Sequence, residues 1–252
     1  FSTNANVVIA TKDGMIKRSK LQEFKLQRYS KATSCMKLKE DDEVISVFRE
    51  TANTLFLATD SGYGLCFKTS DVPLVGVKAS GVKAIKLKDD HLISTNCFDP
   101  TQDEFVAILT TKGTGKRIRL NELEISNRTR RGLQIIREVK TNPYKILKTF
   151  IVGSRSELGT KNADINFIKA SELPISDRYS TGKELTKHQL TDAFLVANLE
   201  KGTKEQVELL EPVEVEVEEI KEEKKEEPLP KKERISLKEI DDRLMTIDDF
   251  LK

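Results

Sequence analysis

The chain has 252 residues, of which 33% are charged, 37% hydrophobic and none tryptophan, and its formal net charge is +2. That small total hides an asymmetry, net +8 over residues 1–200 and net −6 over residues 201–252, a basic body with an acidic tail of the kind that contacts nucleic acid. No apolar run approaches the roughly 20 residues of a membrane span, no signal peptide is visible, and Cys35, Cys66 and Cys97, odd in number and without CxxC spacing, read as buried thiols of a reducing cytosol, not as disulfides or zinc ligands.

The chain begins at Phe1, without Met and just before a strand, and reads as a piece with repeats missing upstream. Val7-Val8-Ile9 enters a turn at Lys12-Asp13-Gly14, and a second strand follows over Met15–Arg18. The same strand, turn and strand return at Ala58–Cys66 and at Leu109–Arg117. Acidic-apolar pairs close the units at Glu23-Phe24, Asp71-Val72 and Glu122-Leu123, with a worn fourth copy at Glu172-Leu173, so the steps are 48, 51 and 50 residues. A fixed period near fifty residues built of short strands means one blade per repeat. Gly14, Gly62 and Gly113 share one repeat position, where a positive φ would favour a residue without Cβ.

The second half of each repeat is a small or basic lead-in, an apolar strand, a polar turn and another apolar strand. Glu40–Glu43 and Lys88–Asp90 look like hairpin turns. One repeat is therefore about four strands, which is blade-sized. The fourth cycle, Thr149 to Leu199, is degraded, with Gly153–Thr160 replacing its turn, as expected of a terminal capping repeat. Residues 200–235 are dense in charge and proline and are expected to be a disordered linker. Ser236 and Glu239 form a capping box for a helix over 236–252, with a seam of Leu237, Ile240, Leu244, Ile247 and Leu251 suited to docking on the body or a partner.

No catalytic constellation is visible. His91 and His188 stand apart from any Ser or Cys motif, and His91 sits on a solvated turn. The run Gly113–Arg117 is close to a phosphate loop, but Thr110 stands where the first Gly belongs and Arg117 replaces Ser/Thr. Asp41-Asp42 and Asp89-Asp90 are turn residues before they are metal ligands. The basic residues carry more. Residues 112–148 hold eleven Lys/Arg against three acids, an electrostatic footprint for DNA. Few aromatics accompany them, which favours duplex backbone over stacked single strands.

Repeats of the form T-x-x-G-x-x-K-R closed by E-L or E-F are carried by Thr11, Gly14, Lys17 and Arg18, by Thr59 and Gly62, and by Thr110, Gly113, Lys116 and Arg117, with an R-x-x-x-G arm at Arg128–Gly132. They resemble the C-terminal domain of type IIA topoisomerase A subunits. The glycine-rich box of gyrase A, Q-R-R-G-G-K-G, has no match here, so the chain looks more like the A subunit of bacterial topoisomerase IV, with gyrase A as the alternative. The resemblance implies an all-β fold over residues 1–199, a β-pinwheel of about four blades with the last irregular, which binds and bends duplex DNA. It implies membership of an ATP-hydrolysing enzyme that decatenates and relaxes DNA. The rest of the A subunit, as a homodimer, and an ATPase B subunit would complete an A2B2 complex. ATP and Mg2+ would bind elsewhere in that enzyme, and no catalytic residue falls in this chain. The expected location is the cytoplasm, on the nucleoid, with the inner face of the cell membrane as a second place. The expected DNA contacts are Lys12, Lys17, Arg18, Arg28, Lys31, Lys112, Lys116, Arg117, Arg119, Arg128, Arg130, Arg131 and Arg137. A propeller-like protein scaffold is the competing reading; such propellers usually carry Trp-Asp motifs, and this chain has no Trp.

Overall fold

The computed structural model describes residues 4–25 and 32–196. Arg28, Lys31, the expected linker over 200–235 and the expected helix over 236–252 lie outside the described residues. The described body is all-β. Blade 1 holds β1 (Asn6–Thr11), β2 (Met15–Lys20) and β3 (Val44–Arg49). Blade 2 holds β4 (Thr54–Thr59), β5 (Tyr63–Lys68) and β7 (Leu92–Phe98), while β6 (Val82–Lys83) lies between β5 and β7 in sequence. Blade 3 holds β8 (Phe105–Thr110), β9 (Thr114–Arg119) and β11 (Ile146–Val152), with β10 (Leu133–Gln134) intervening. Blade 4 holds β12 (Glu157–Lys161), β13 (Ile165–Lys169) and β15 (Asp192–Leu195), with β14 (Lys183–Glu184) intervening.

The intervening strands do not join their own blades. The sheet orders are β3-β1-β2-β6, β10-β5-β4-β7, β11-β8-β9-β14 and β13-β12-β15. Each of the first three blades therefore takes its fourth strand from the following repeat. This corrects the reading of Lys88–Asp90 as a hairpin turn, because the strands on either side of it, β6 and β7, belong to different sheets. Glycine makes the exchange possible. Gly81, Gly132 and Gly182 precede or open the donated strands at φ of 78°, 87° and 85°. A Cβ there would lie 2.4 Å from the Ile16 carbonyl oxygen, 2.2 Å from that of Gly64 and 2.7 Å from that of Gly115. Only a residue without a side chain lets the two backbones approach so closely.

The hairpin turns follow the sequence expectation in the first three repeats. Gly14, Gly62 and Gly113 sit at φ of 77°, 96° and 78°. Thr11, Thr59 and Thr110 each accept, on their side-chain oxygen, the N–H four residues on, at 3.2 Å in all three cases. That bond explains why Thr and Gly recur together: one closes the turn and the other permits its left-handed step. The fourth turn is elsewhere than expected. Gly153–Ser156 merely links β11 to β12, and the true hairpin turn is Asn162–Asp164, closed by the pair Lys161↔Ile165. It has three residues where Ala58↔Gly64 encloses five, so it needs neither Thr nor Gly.

Three apolar layers lie between successive blades. Val8, Ala10 and Ile16 of blade 1 pack on Leu55, Leu57 and Phe67 of blade 2. Phe56, Ala58 and Cys66 face Val106, Ile108 and Ile118. Ala107 and Leu109 face Leu158 and Ala193. Both faces of an inner blade are thus buried, which explains the continuous runs TLFLA and FVAIL in place of an alternating pattern. Each large side chain so buried contributes roughly 1.5–3 kcal/mol. β3, β7, β11 and β15 touch one another in series, and Asn96 and Ser94 donate to the Thr149 carbonyl at 3.2 and 3.0 Å. These strands line the hub side, and the donated strands with their lead-in arms form the outer edge. Of the cysteines, Cys66 is buried as expected, Cys97 is half-buried and Cys35 is exposed, while its neighbour Met36 is the one buried against Val7 and Ile9.

Candidate nucleic-acid interface

The Lys-Arg pairs after the first and third turns were expected to face phosphate, and the structure turns Lys17, Lys116 and Arg117 inward and engages Arg18 at the edge of the fold. Lys17 has no exposed surface, and its Nζ donates to the carbonyls of Gly76 and Val77 at 3.2 and 2.5 Å. Lys116 is 1% exposed and donates to the carbonyls of Asp177, Arg178 and Ser180 at 2.9, 3.0 and 2.7 Å. Burial pushes its ammonium down to about 8. Both lysines latch a blade to the lead-in arm of the next repeat. Arg117 is buried, with Nε donating to the Leu173 carbonyl at 3.0 Å and its guanidinium over the Phe105 ring. Arg18 donates to the Val72 carbonyl and pairs with Glu50, both at 2.8 Å. The Lys-Arg pair is therefore a fastening inside the fold, because it lies on a strand whose two faces meet neighbouring blades and arms.

Other expected contacts are partly engaged. Lys12 pairs with Glu43 at 3.1 Å. Lys112 donates to the Asn142 carbonyl at 2.5 Å and stands over the Tyr144 ring. On the arm Ser126–Gly132, Arg128 donates to the Lys83 carbonyl, and its buried Nε has no hydrogen-bond partner. Arg131 pairs with Asp90 at 2.6 Å and stacks 4.0 Å over the Tyr63 ring. Burial pushes the Asp90 carboxyl up, but hydrogen bonds from Arg131, Ser61 and the Lys88 N–H outweigh it and bring it down to about 2. Arg119, Arg130 and Arg137 are exposed. Arg130 and Arg131 line a groove of about 510 Å³ with Lys86, Cys66 and Glu124.

Two rows of exposed cations emerge that sequence reasoning did not single out as rows. Lys20, Lys68, Arg119 and Lys169 each end the second strand of a blade, directly before a 3-10 turn. All four are exposed. Lys86, Arg137 and Lys187 each stand three residues beyond a donated strand and are exposed as well. The rows lie at opposite ends of the second strands, separated by about 17–20 Å. A repeat-by-repeat alignment carries the signal, since a basic residue precedes LQEF, TSDV, LNEL and ASEL alike.

The run Gly113–Arg117 does not fit a nucleotide triphosphate. It joins two paired strands, and its lysine is held by carbonyls. Among the described residues no group of three His, Cys, Asp or Glu side chains is placed to hold a cation.

A family model described as the DNA gyrase C-terminal domain, beta-propeller, matches residues 5–49, 53–96 and 104–152. The A subunit of DNA topoisomerase 4 from Bacillus subtilis (strain 168) is 38% identical over 186 residues, 72% of this chain and 23% of that protein. Its counterpart of the same name from Staphylococcus aureus (strain MRSA252) is 35% identical over 188 residues, with the same coverage of both chains. The chain thus spans about a quarter of the length of these relatives. A crystal structure of the C-terminal domain of DNA topoisomerase IV superposes with a TM-score of 0.74 at 34% identity, covering 78% of this chain and 63% of that one. With three exchanged four-stranded blades and a family match over more than half its length, the chain belongs to the DNA gyrase C-terminal domain family.

Proposed function

We propose that the body binds and bends duplex DNA along its outer edge, as the C-terminal domain of the A subunit of a topoisomerase IV. The observation that carries this is the row Lys20, Lys68, Arg119 and Lys169, one exposed cation per blade at a single repeat position. A row repeated from blade to blade meets phosphates spaced along a duplex and reads no base sequence, so selectivity comes from the cost of bending. Lys86, Arg137 and Lys187 form a second row one strand length away, and the exposed Arg130 adds a bidentate phosphate donor. The names of the relatives support a DNA topoisomerase as the whole enzyme, and decatenation and supercoil relaxation are the activity proposed for it. Its partners are then the remainder of a homodimeric A subunit, together with an ATPase B subunit, with ATP and Mg2+ bound outside this chain. The enzyme works in the cytoplasm, on the nucleoid and at the inner face of the membrane.

The test replaces Lys20, Lys68, Arg119 and Lys169 with Gln together and measures duplex affinity across salt. Each lost phosphate contact should flatten the slope of log affinity against log salt by about 0.9. An unchanged slope in a variant of parental stability would refute this interface.

A further inference from the structure

The lead-in arms carry an exposed aliphatic residue at one repeat position. Leu74, Ile125 and Ile175 follow the acidic-apolar pairs Asp71-Val72, Glu122-Leu123 and Glu172-Leu173 by two residues. They bridge in parallel to Arg18, Cys66 and Arg117, on β2, β5 and β9. The next N–H of each arm, from Val75, Ser126 and Ser176, donates to the carbonyl of that same strand residue at 2.8, 2.8 and 2.9 Å. The backbone is thus fixed at each place, and the side chains are 44%, 46% and 47% exposed. A lone apolar residue on a surface needs no explanation, but three at one repeat position, equally exposed, form a row. The first arm has Leu26 at this position, outside the described residues. The row runs beside the cations. Each bridged strand residue stands two positions before Lys20, Lys68 or Arg119. Two residues advance about 6.7 Å along a strand and neighbouring strands lie about 4.8 Å apart, so aliphatic and cation stand about 8 Å apart at the backbone. At blade 2, Ile125 and Lys68 line one groove of about 410 Å³. Of the acids there, Glu50 is paired with Arg18 at 2.8 Å and Asp99 accepts the Thr101 N–H at 2.9 Å.

We propose that Leu74, Ile125 and Ile175 press against deoxyribose faces in the minor groove of the duplex whose phosphates the cations hold. This rests on the duplex reading of the row Lys20, Lys68, Arg119 and Lys169. An aliphatic side chain carries no donor or acceptor, and the C–H surface of the sugars is the part of a duplex edge that asks for none. A protein partner would call for one contiguous apolar patch. Here the aliphatics stand singly, one per repeat and each beside a cation, which suits a polymer in which charged phosphates alternate with apolar sugar. Apolar contact in the minor groove unstacks base steps and favours a bent duplex. The row therefore adds to bending without reading base sequence.

The experiment changes Leu74, Ile125 and Ile175 together to Thr in the full chain and measures affinity for an end-labelled duplex from about 50 to 200 mM salt. Affinity should fall about tenfold at every salt concentration while the slope of log affinity against log salt stays parental, because the lost contact is apolar. Energy transfer between the duplex ends should drop as the bend relaxes. The same three residues changed to Met keep apolar side chains and should bind as the parent does. If the Thr variant unfolds in urea more easily than the parent, Ile125→Thr alone is read instead, with about a twofold loss expected. Parental affinity in the Thr variant overturns the inference, and the duplex reading survives if the four-cation Gln variant still flattens the slope. A parent that fails to bind duplex at low salt overturns both. A flattened slope in the Thr variant, or an equal loss in the Met variant, also overturns the inference, since the changes then act through the cations or the fold. Parental duplex affinity with loss of self-association would make the row a face between copies of the chain instead.

Discussion

Replacing Gly132 with Ala tests the strand exchange at its tightest point. The added Cβ would lie 2.2 Å from the Gly64 carbonyl oxygen and 2.7 Å from its carbon. Both are backbone atoms held inside β5, so no side chain can swing aside. At a φ of 87° the Cβ itself costs about 1–2 kcal/mol. Relief of the clash pulls β10 away and weakens Leu133↔Gly64, Gln134↔Tyr63 and the bond from the Ile135 N–H to the Gly62 carbonyl. Such bonds contribute about 0.5–1.5 kcal/mol each. The sum is a loss of about 3–5 kcal/mol, a large share of the 5–15 kcal/mol typical of a domain. Gly153, which has no heavy atom within 4 Å of its would-be Cβ, is the matched control, and its change to Ala should alter stability by less than about 0.5 kcal/mol. Urea unfolding of the full chain, followed by far-UV circular dichroism, measures both. If Gly132→Ala unfolds within about 1 kcal/mol of the parent, the donated strand is not seated as described.

Lys116→Met removes three charge-assisted bonds and should cost about 2 kcal/mol in the same unfolding assay, while the salt slope of duplex binding stays parental. Asp90 titrates at about 2 instead of 3.8, so its contribution is present above pH 4 and lost as pH falls through 2. Asp90→Asn should therefore flatten the acid side of the stability profile by about 1–2 kcal/mol after allowance for screening at the rim. Arg130→Ala should lower duplex affinity about tenfold at low salt with stability unchanged, whereas Arg131→Ala should destabilise by about 2 kcal/mol by leaving Asp90 buried and unpaired; equal effects on affinity from the two would refute this division.

The period near fifty, the Thr-Gly turns and the all-β class were legible because each has a local cause that recurs in phase. The arm glycines Gly81, Gly132 and Gly182 recur at nearly the same period, yet what they approach is a carbonyl in another repeat, which no local pattern discloses. For the same reason the fourth strand of each blade could be counted but not assigned to its sheet. Which of the basic residues are exposed was not legible, since Lys17, Lys116 and Arg117 are turned inward. Lys17 and Lys20 stand three apart on one strand, and ordinarily one face of a strand meets solvent. Here blades and arms cover both faces, so alternation does not separate the buried lysine from the exposed one. What separates them is distance along the strand, since position 20 projects past the end of the stack.

The inward lysines also explain why blade 2 differs. Its residue at the place of Lys17 and Lys116 is Leu65, which packs in the apolar layer beside Phe67 and can hold no carbonyl. The arm Ser126–Gly132 that meets this blade is fastened from its own side instead. Arg128 reaches the Lys83 carbonyl, Arg131 reaches Asp90, and the Thr129 and Ser126 N–H groups donate to the carbonyls of Ala84 and Cys66. Fastening by arginine leaves donors over, because a guanidinium carries five N–H groups where an ammonium carries three. The Lys116 ammonium exhausts its three on carbonyls. The arm that lacks a lysine latch carries the exposed Arg130 between its two fastening arginines.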